Sequence, residues 1–304
     1  MQRNPAVPFR RAPGLRFGSV MILWVMLIGL SPDLAYGHGV VGDRTFLSPI
    51  VGNDAFPDNA ASLTSRRSDY AFSLLPALEK QLGDSSSLLL TGGWDELEPE
   101  AGPDTSGPRD LSIYFRQSAY VSPAHEFEFT VSPFLVVPTG TREIADEGYT
   151  HLGGELLVGK GLGDLPDEGA LNILRPLAIQ VEAGYAGRLQ GPANSDVFAN
   201  FEVEYSLSYL ERFVEPIGTD RPWRDLVPYT ELDYSQALIA SRLTTLPDFR
   251  LTPGLAYLGD YCEVSMGAQV ALNGAAQPGD RVAVIGLIEV FYDGLFPALA
   301  WKPF

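Results

Sequence analysis

From Val197 to Tyr209 apolar and polar or small residues alternate almost without interruption. Val197, Ala199, Phe201, Val203, Tyr205, Leu207 and Tyr209 form one row, and Asn200, Glu202, Glu204, Ser206 and Ser208 the other. A period of two puts each row on its own face of an extended strand, so the segment predicts a strand with one apolar and one wet side. The pattern recurs. Leu111, Ile113 and Phe115 oppose Ser112, Arg116 and Ser118, and Phe127, Phe129 and Val131 oppose Glu126, Glu128, Thr130 and Ser132. Leu177, Ile179, Val181 and Tyr185 oppose Gln180, Glu182, Gly184 and Arg188, while Val264, Met266, Ala268, Val270 and Leu272 oppose Glu263, Ser265, Gly267 and Gln269.

Strand-like segments are expected at Asp69–Leu82, Ser86–Trp94, Asp110–Tyr120, Glu126–Val137, Tyr149–Lys160, Leu177–Arg188, Val197–Tyr209, Leu226–Gln236, Phe249–Tyr257, Cys262–Leu272, Arg281–Tyr292 and Phe296–Phe304. Stretches rich in Gly, Pro, Asp and Asn, such as Glu98–Arg109 and Glu215–Arg224, separate them as hairpin loops. The expectation is an all-β fold: an up-and-down antiparallel transmembrane β-barrel of about 12 strands, within a range of 10 to 14. A secreted β-sandwich would bury the apolar rows against a second sheet. Its polar face would then meet bulk water and carry many Lys and Arg, whereas here it is Ser, Gly, Gln, Glu and Asn. Tyr185, Tyr205 and Tyr209 at the ends of apolar rows suit an interfacial girdle.

One connection sits badly in this scheme. Leu82–Ser86 is short although it follows the first upward strand, where a long external loop is expected. A strand overlooked near Thr45–Ile50, or a C-terminal tail in place of Phe296–Phe304 with its Pro297 and Pro303, would resolve it. Residues 38–67 show no sustained period and read as an irregular periplasmic tail or a partial plug, leaving 68–304 for the barrel.

Targeting changes the picture. Arg3, Arg10, Arg11 and Arg16 precede an apolar core from Val20 to Leu30, followed by Ala35-Tyr36-Gly37. This predicts a signal peptide over residues 1–37, cleaved before His38. Eleven apolar residues span about 16 Å as a helix, short of the roughly 30 Å of a hydrocarbon layer. Removing 1–37 takes away four arginines and one aspartate, moving the formal net charge from −17 to −20. Such an excess of carboxylates argues against nucleic acid as a partner, because phosphate contacts need Lys and Arg. The expected location is the outer membrane of a Gram-negative cell. The expected partners are outer-membrane lipid, a small-molecule solute and the barrel-assembly machinery during biogenesis. No cofactor is expected. Cys262 is the single cysteine, which excludes an intrachain disulfide, and it falls on an apolar row as a small hydrophobe.

With the polar rows facing the lumen, Glu126, Glu128, Glu182, Glu202, Glu204, Glu231, Asp233, Glu263 and Glu289 point inward against few bases, chiefly Arg116 and Arg188. These are the candidate pore-lining residues. An interior of that sign repels small anions and admits cations or neutral solutes. Catalysis finds little support, so no enzyme is expected. Of the three histidines, His125 and His151 open successive antiparallel segments, which places them about 30–40 Å apart at opposite ends and unable to share a triad or a metal. After cleavage His38 would carry a free amine beside its imidazole, a candidate chelate for Cu(II) or Ni(II). Gly159-Lys160-Gly161-Leu162-Gly163 lacks the Ser or Thr of a phosphate loop and reads as a strand entering a glycine-rich turn.

Asp110-Leu111-Ser112-Ile113 after an acidic loop, Val136-Val137-Pro138-Thr139-Gly140, Gly159-Lys160-Gly161-Leu162-Gly163-Asp164 and Arg175-Pro176-Leu177 resemble bacterial outer-membrane proteins of the phenol-degradation-pathway (MetA-type) transporter-like family. The resemblance runs over roughly 70–304. It implies a channel or carrier for small hydrophobic or aromatic molecules, and it supplies no binding residues to place on this chain.

Overall fold

The computed structural model describes residues 39–98, 102–142, 144, 148–190, 194–239, 242–243, 246–276 and 278–304. The expected signal peptide and His38 lie outside the described residues. Twelve strands form the fold: β1 (Ala60–Arg67), β2 (Ala71–Gly83), β3 (Ser86–Thr91), β4 (Leu111–Ser122), β5 (Phe127–Val137), β6 (His151–Gly161), β7 (Leu177–Arg188), β8 (Asn194–Tyr205), β9 (Leu226–Ile239), β10 (Asp248–Leu258), β11 (Cys262–Ala271) and β12 (Val282–Phe291). Each pairs antiparallel with its neighbours in sequence, and β1 pairs with both β2 and β12. The sheet is thus one closed 12-strand ring, which leaves no edge and no second sheet of a sandwich. Two short pieces follow the same path: Trp94–Leu97 continues β3 along the first residues of β2, and Thr105–Pro108 pairs with it as a hairpin leading into β4.

Alternation sets which side chains meet. Gln180 faces Glu202 across β7–β8 and Glu202 faces Glu231 across β8–β9, so the inward rows align around the ring. The outward rows leave Leu63, Leu78, Phe115, Val131, Leu156, Val181, Phe201, Leu232, Leu255, Met266 and Val284 exposed, one large apolar residue from every strand but β3. Such a belt around a barrel is what a lipid-facing wall requires. Among the described residues no helix is long and apolar enough to cross a membrane.

The strand total agrees with expectation, although two of its members change. Residues 60–67, expected to be irregular, form β1. Ala60, Ser62, Thr64 and Arg66 alternate there with Ala61, Leu63, Ser65 and Arg67, and a single large apolar residue gives the pattern too little amplitude to read. Phe296–Phe304 is no strand: Pro297 opens a short helical turn, and the chain then runs irregularly until the Phe304 N–H donates to the Leu82 carbonyl. With β1 in place, the short connection at 84–85 falls on the barrel end where the chain enters; the first upward strand is followed by the equally tight connection 68–70, and the long connections 162–176 and 206–225 share the end of 84–85. The segment expected to reach Tyr209 stops at Tyr205, because Ser206 Oγ accepts from the Tyr209 N–H and starts a helical turn.

Residues 39–59 enter the ring before β1. They begin with a small hairpin, Val40–Val41 against Arg44–Thr45, and then run without regular structure. Most are buried, Phe46 completely.

Candidate functional site

An irregular segment inside a barrel carries backbone N–H groups with no ladder to join, and each one left dry costs several kcal/mol. Here inward carboxylates take them up. Glu204 accepts from the Leu47 N–H at 2.9 Å, Glu263 from Ser48 at 3.0 Å, Glu231 from Ile50 at 2.6 Å and Val51 at 3.1 Å, Glu182 from Asn53 at 3.1 Å, and Glu79 from Asp58 at 3.1 Å. Ser48 Oγ also donates to Glu289. Other wall side chains serve the segment's carbonyls: Gln180 donates to the Leu47 carbonyl at 2.7 Å and Thr130 to that of Ala55 at 2.5 Å. These partners come from β2, β5, β7, β8, β9, β11 and β12, so the segment is tied around the ring as a plug.

Two arginines fix its ends. Arg44, fully buried, donates to Glu126 at 3.3 Å and to the carbonyls of Arg175, Pro176 and Leu177, and lies 4.0 Å from the Tyr209 ring centre. Burial and the nearby Glu126 carboxylate push the Tyr209 phenol up to about 12. Gly161 and Gly163 make this corner possible, since a Cβ on either would collide with Glu126. At the other end Arg116 of β4 bridges Asp54 of the plug and Glu79 of β2. Apolar packing fills the remaining space. Phe46 stacks on Phe56 at 4.5 Å beside Leu157 and Ala178, and Leu47 and Ile50 pack against Val227, Tyr229, Ala256, Ile285 and Leu287.

Above the plug the lumen opens into a cavity of about 890 Å³. Ser48–Asp54 are its floor. One wall is aromatic: Tyr114 and Phe198 line the cavity, and Phe134 links them at 4.9 and 6.2 Å between ring centres. The opposite wall is ionic. Arg66 donates to Gln269 and Asp280, and Arg250 to Asp248 and Asp280. Burial alone would raise Asp280, yet the hydrogen bonds from Arg66 and Arg250 outweigh it and hold its carboxyl below the ordinary aspartate range.

The residues singled out from sequence divide between these two regions. Glu126, Glu204, Glu231 and Glu263 sit beside the plug and bond to it or to its arginine; Glu128 and Glu202 are buried at the same depth. Glu182, Asp233, Glu289 and Arg116 reach the cavity wall. Arg188 stacks on Tyr149 at 4.5 Å near the cavity-side end of β7. Glu79, Glu155, Arg44 and Asp54 escaped sequence reasoning, although Glu155 has the inward parity of Gly153 and Gly159 on β6. Tyr209, expected in an outer girdle, is buried beneath Arg44. His125 bonds Asp164 at 3.1 Å in an exposed turn at the plug end, whereas His151 opens β6 at the cavity end, as the antiparallel register demands. Among the described residues no three His, Cys, Asp or Glu side chains are grouped to hold a metal ion.

No family model and no curated protein matches the chain. Solved structures do. An outer membrane channel from Pseudomonas putida F1 aligns over 78% of this chain and 97% of its own, at 13% identity and a TM-score of 0.52. The fold is that of an outer-membrane β-barrel. The KdgM porin (9% identity, 76% of this chain, 98% of that one, TM-score 0.44) and the NanC porin (9%, 76%, 98%, 0.46) are more distant in shape. At 13% identity, what this chain shares with the Pseudomonas channel is the architecture of the barrel.

Proposed function

We propose that this outer-membrane barrel is a channel or carrier for a small neutral, hydrophobic or aromatic solute, seated in the outer membrane after loss of residues 1–37, and that the described structure is its occluded state. The observation that carries the reading is the cavity of about 890 Å³ ending on the plug. A space of that size holds one small molecule, and a ring-bearing solute gains from packing on Tyr114 and Phe198. Passage then requires the floor, Ser48–Asp54, to move. When it does, Glu126, Glu128, Glu182, Glu202, Glu204, Glu231, Asp233 and Glu263 change from plug acceptors and buried neighbours into the lining of the path, with Arg116 and Arg188 as the few opposing charges. That lining disfavours anions. The membrane lipid and the barrel-assembly machinery are the partners such a protein requires, and the mature N-terminal His38 is left without a role in this scheme.

The test is solute flux into liposomes holding purified protein, native against Arg44→Ala. The variant is expected to pass neutral aromatic and cationic solutes faster than the native protein and to pass anions poorly. Equal permeability to anions and cations in the variant refutes the charged path, and no gain in flux for any solute refutes the occluding role of the plug.

A further inference from the structure

Three neighbouring strands set a short row of polar side chains beneath the aromatic wall of the cavity. Register places Glu182 of β7 opposite Asn200 of β8, and Asn200 opposite Asp233 of β9, and all three line the cavity just above the plug. One inward position further from the plug, Phe198 stands opposite Gly184. A Cβ on Gly184 would collide with the Phe198 ring, and one on Gly153 with that of Phe134, so each glycine gives a ring room to lie against the wall. Tyr114, Phe134 and Phe198 thus stand directly over the row.

The row is negative and meets neutral amides. Glu182 accepts from the Asn53 N–H at 3.1 Å, and Asp233 Oδ1 from Asn200 Nδ2 at 2.5 Å, while Asp233 Oδ2 has no hydrogen bond among the described residues. The arginines of the cavity are engaged elsewhere. Arg250 stands beside Asp233 in register, yet its bonds run to Asp248, Asp280 and Gln269, and Arg116 bridges Asp54 and Glu79. Two carboxylates without a cation of their own, roofed by ring faces, repel an anion. A hydroxyl offers them one donor and no charge. An ammonium offers three donors and a positive charge that carboxylates and ring faces both attract.

We propose that the cavity selects organic cations: its solute carries an aromatic ring, packed on Phe198 and Tyr114, and an ammonium group, held over Asn200 between Glu182 and Asp233. Two strand spacings put the backbones of those acids about 10 Å apart, so their inward side chains reach one small cation from both sides. The inference rests on the solute reading given above and narrows its aromatic class to cations.

Calorimetry on the folded barrel in neutral detergent tests it, with three probes of one shape at neutral pH: 2-phenylethylammonium, 2-phenylethanol and phenylacetate. The native protein is expected to bind the ammonium about tenfold more tightly than the alcohol, and phenylacetate more weakly than either. Asp233→Asn, which keeps the side-chain volume, should bring the ammonium down to the affinity of the alcohol and leave the alcohol unchanged, and Phe198→Ala should weaken both. The comparison of probes on native protein needs no variant. An alcohol bound as tightly as the ammonium overturns the selection of cations and leaves the solute site standing. A preference for ammonium that survives both substitutions unchanged overturns the assigned position in favour of diffuse lumen charge. Failure of all three probes to bind removes the cavity as a solute site, and both readings with it.

Discussion

The two halves of the lumen are made from the same strands and serve opposite ends. Below, β8 offers Glu202 and Glu204 and β12 offers Ile285 and Leu287 to a segment that fills the bore; above, β8 offers Phe198 and β10 offers Arg250 to an open space. In the lower half Glu204, Glu231, Glu263 and Glu182 are spent on backbone amides, and Glu126 and Glu79 on Arg44 and Arg116. In the upper half arginines and aspartates satisfy one another across the cavity wall. A carboxylate facing inward therefore means different things by depth. Low in the barrel it substitutes for a missing β-ladder, and high in the barrel it shapes the field a solute meets.

The sharpest way to break the comparison is Arg116→Ala. It strands Asp54 and Glu79 as buried carboxylates without their cation, an arrangement that costs about 3–5 kcal/mol. A large fall in the urea midpoint of the folded, detergent-resistant band is expected, and an unchanged midpoint means that the plug is not held at this end.

Phe46→Ala and Phe198→Ala set the two halves against each other. The first removes a fully buried ring from the plug core and is expected to cost about 3 kcal/mol in the same unfolding assay. The second trims a ring beside empty space, and should leave stability far less changed while weakening binding of an aromatic solute. Equal losses of stability would mean that the upper half is as tightly packed as the lower.

Arg250→Ala is expected to act on selectivity more than on stability. It removes a cation that faces Asp248 and Asp280 in a part-buried network, a change of about 1 kcal/mol, and leaves the cavity more negative. The ratio of cation to anion flux through a plug-weakened barrel should rise.

The smallest effect concerns Asp260, outside the lumen. Its two hydrogen bonds from Arg221, at 2.7 and 2.8 Å, hold its carboxyl below the usual range. A depressed carboxylate adds stability that is present above its unfolded value and is lost as pH falls through the folded one, so the contribution fades only below about pH 4. Asp260→Asn should therefore lower stability at neutral pH by under about 1 kcal/mol and flatten the acid limb, the two proteins converging once Asp260 is protonated.

What was legible in the sequence follows from the same division. β8 and β11 read plainly because lipid on one side and polar groups on the other impose a clean period of two. β12 is apolar on both faces, with Val282, Val284 and Ile288 outward and Ala283, Ile285 and Leu287 inward, so Glu289 alone marks which face looks into the lumen. β1 was missed for the opposite reason, having only Leu63 to mark a face. Most inward glutamates could be named from parity, Glu79 and Glu155 excepted, but several find their partners in backbone amides of an aperiodic segment, and amides leave no trace in residue type. Glycines at 161 and 163 signalled a turn correctly without revealing that they clear room for Arg44 and Tyr209.

The plug runs directly into β1, and β1 is the strand that seals the ring against β12. The plug enters and leaves through the same end of the barrel and passes straight into the seam strand, so filling the bore and zipping the last ladder are coupled through the joint at Asn59 and Ala60. Ser48 and Glu289, hydrogen-bonded across 241 residues of chain, are then among the final partners to meet. So long a loop to close makes for slow folding, and until that seam forms β12 presents an unpaired, strongly apolar edge.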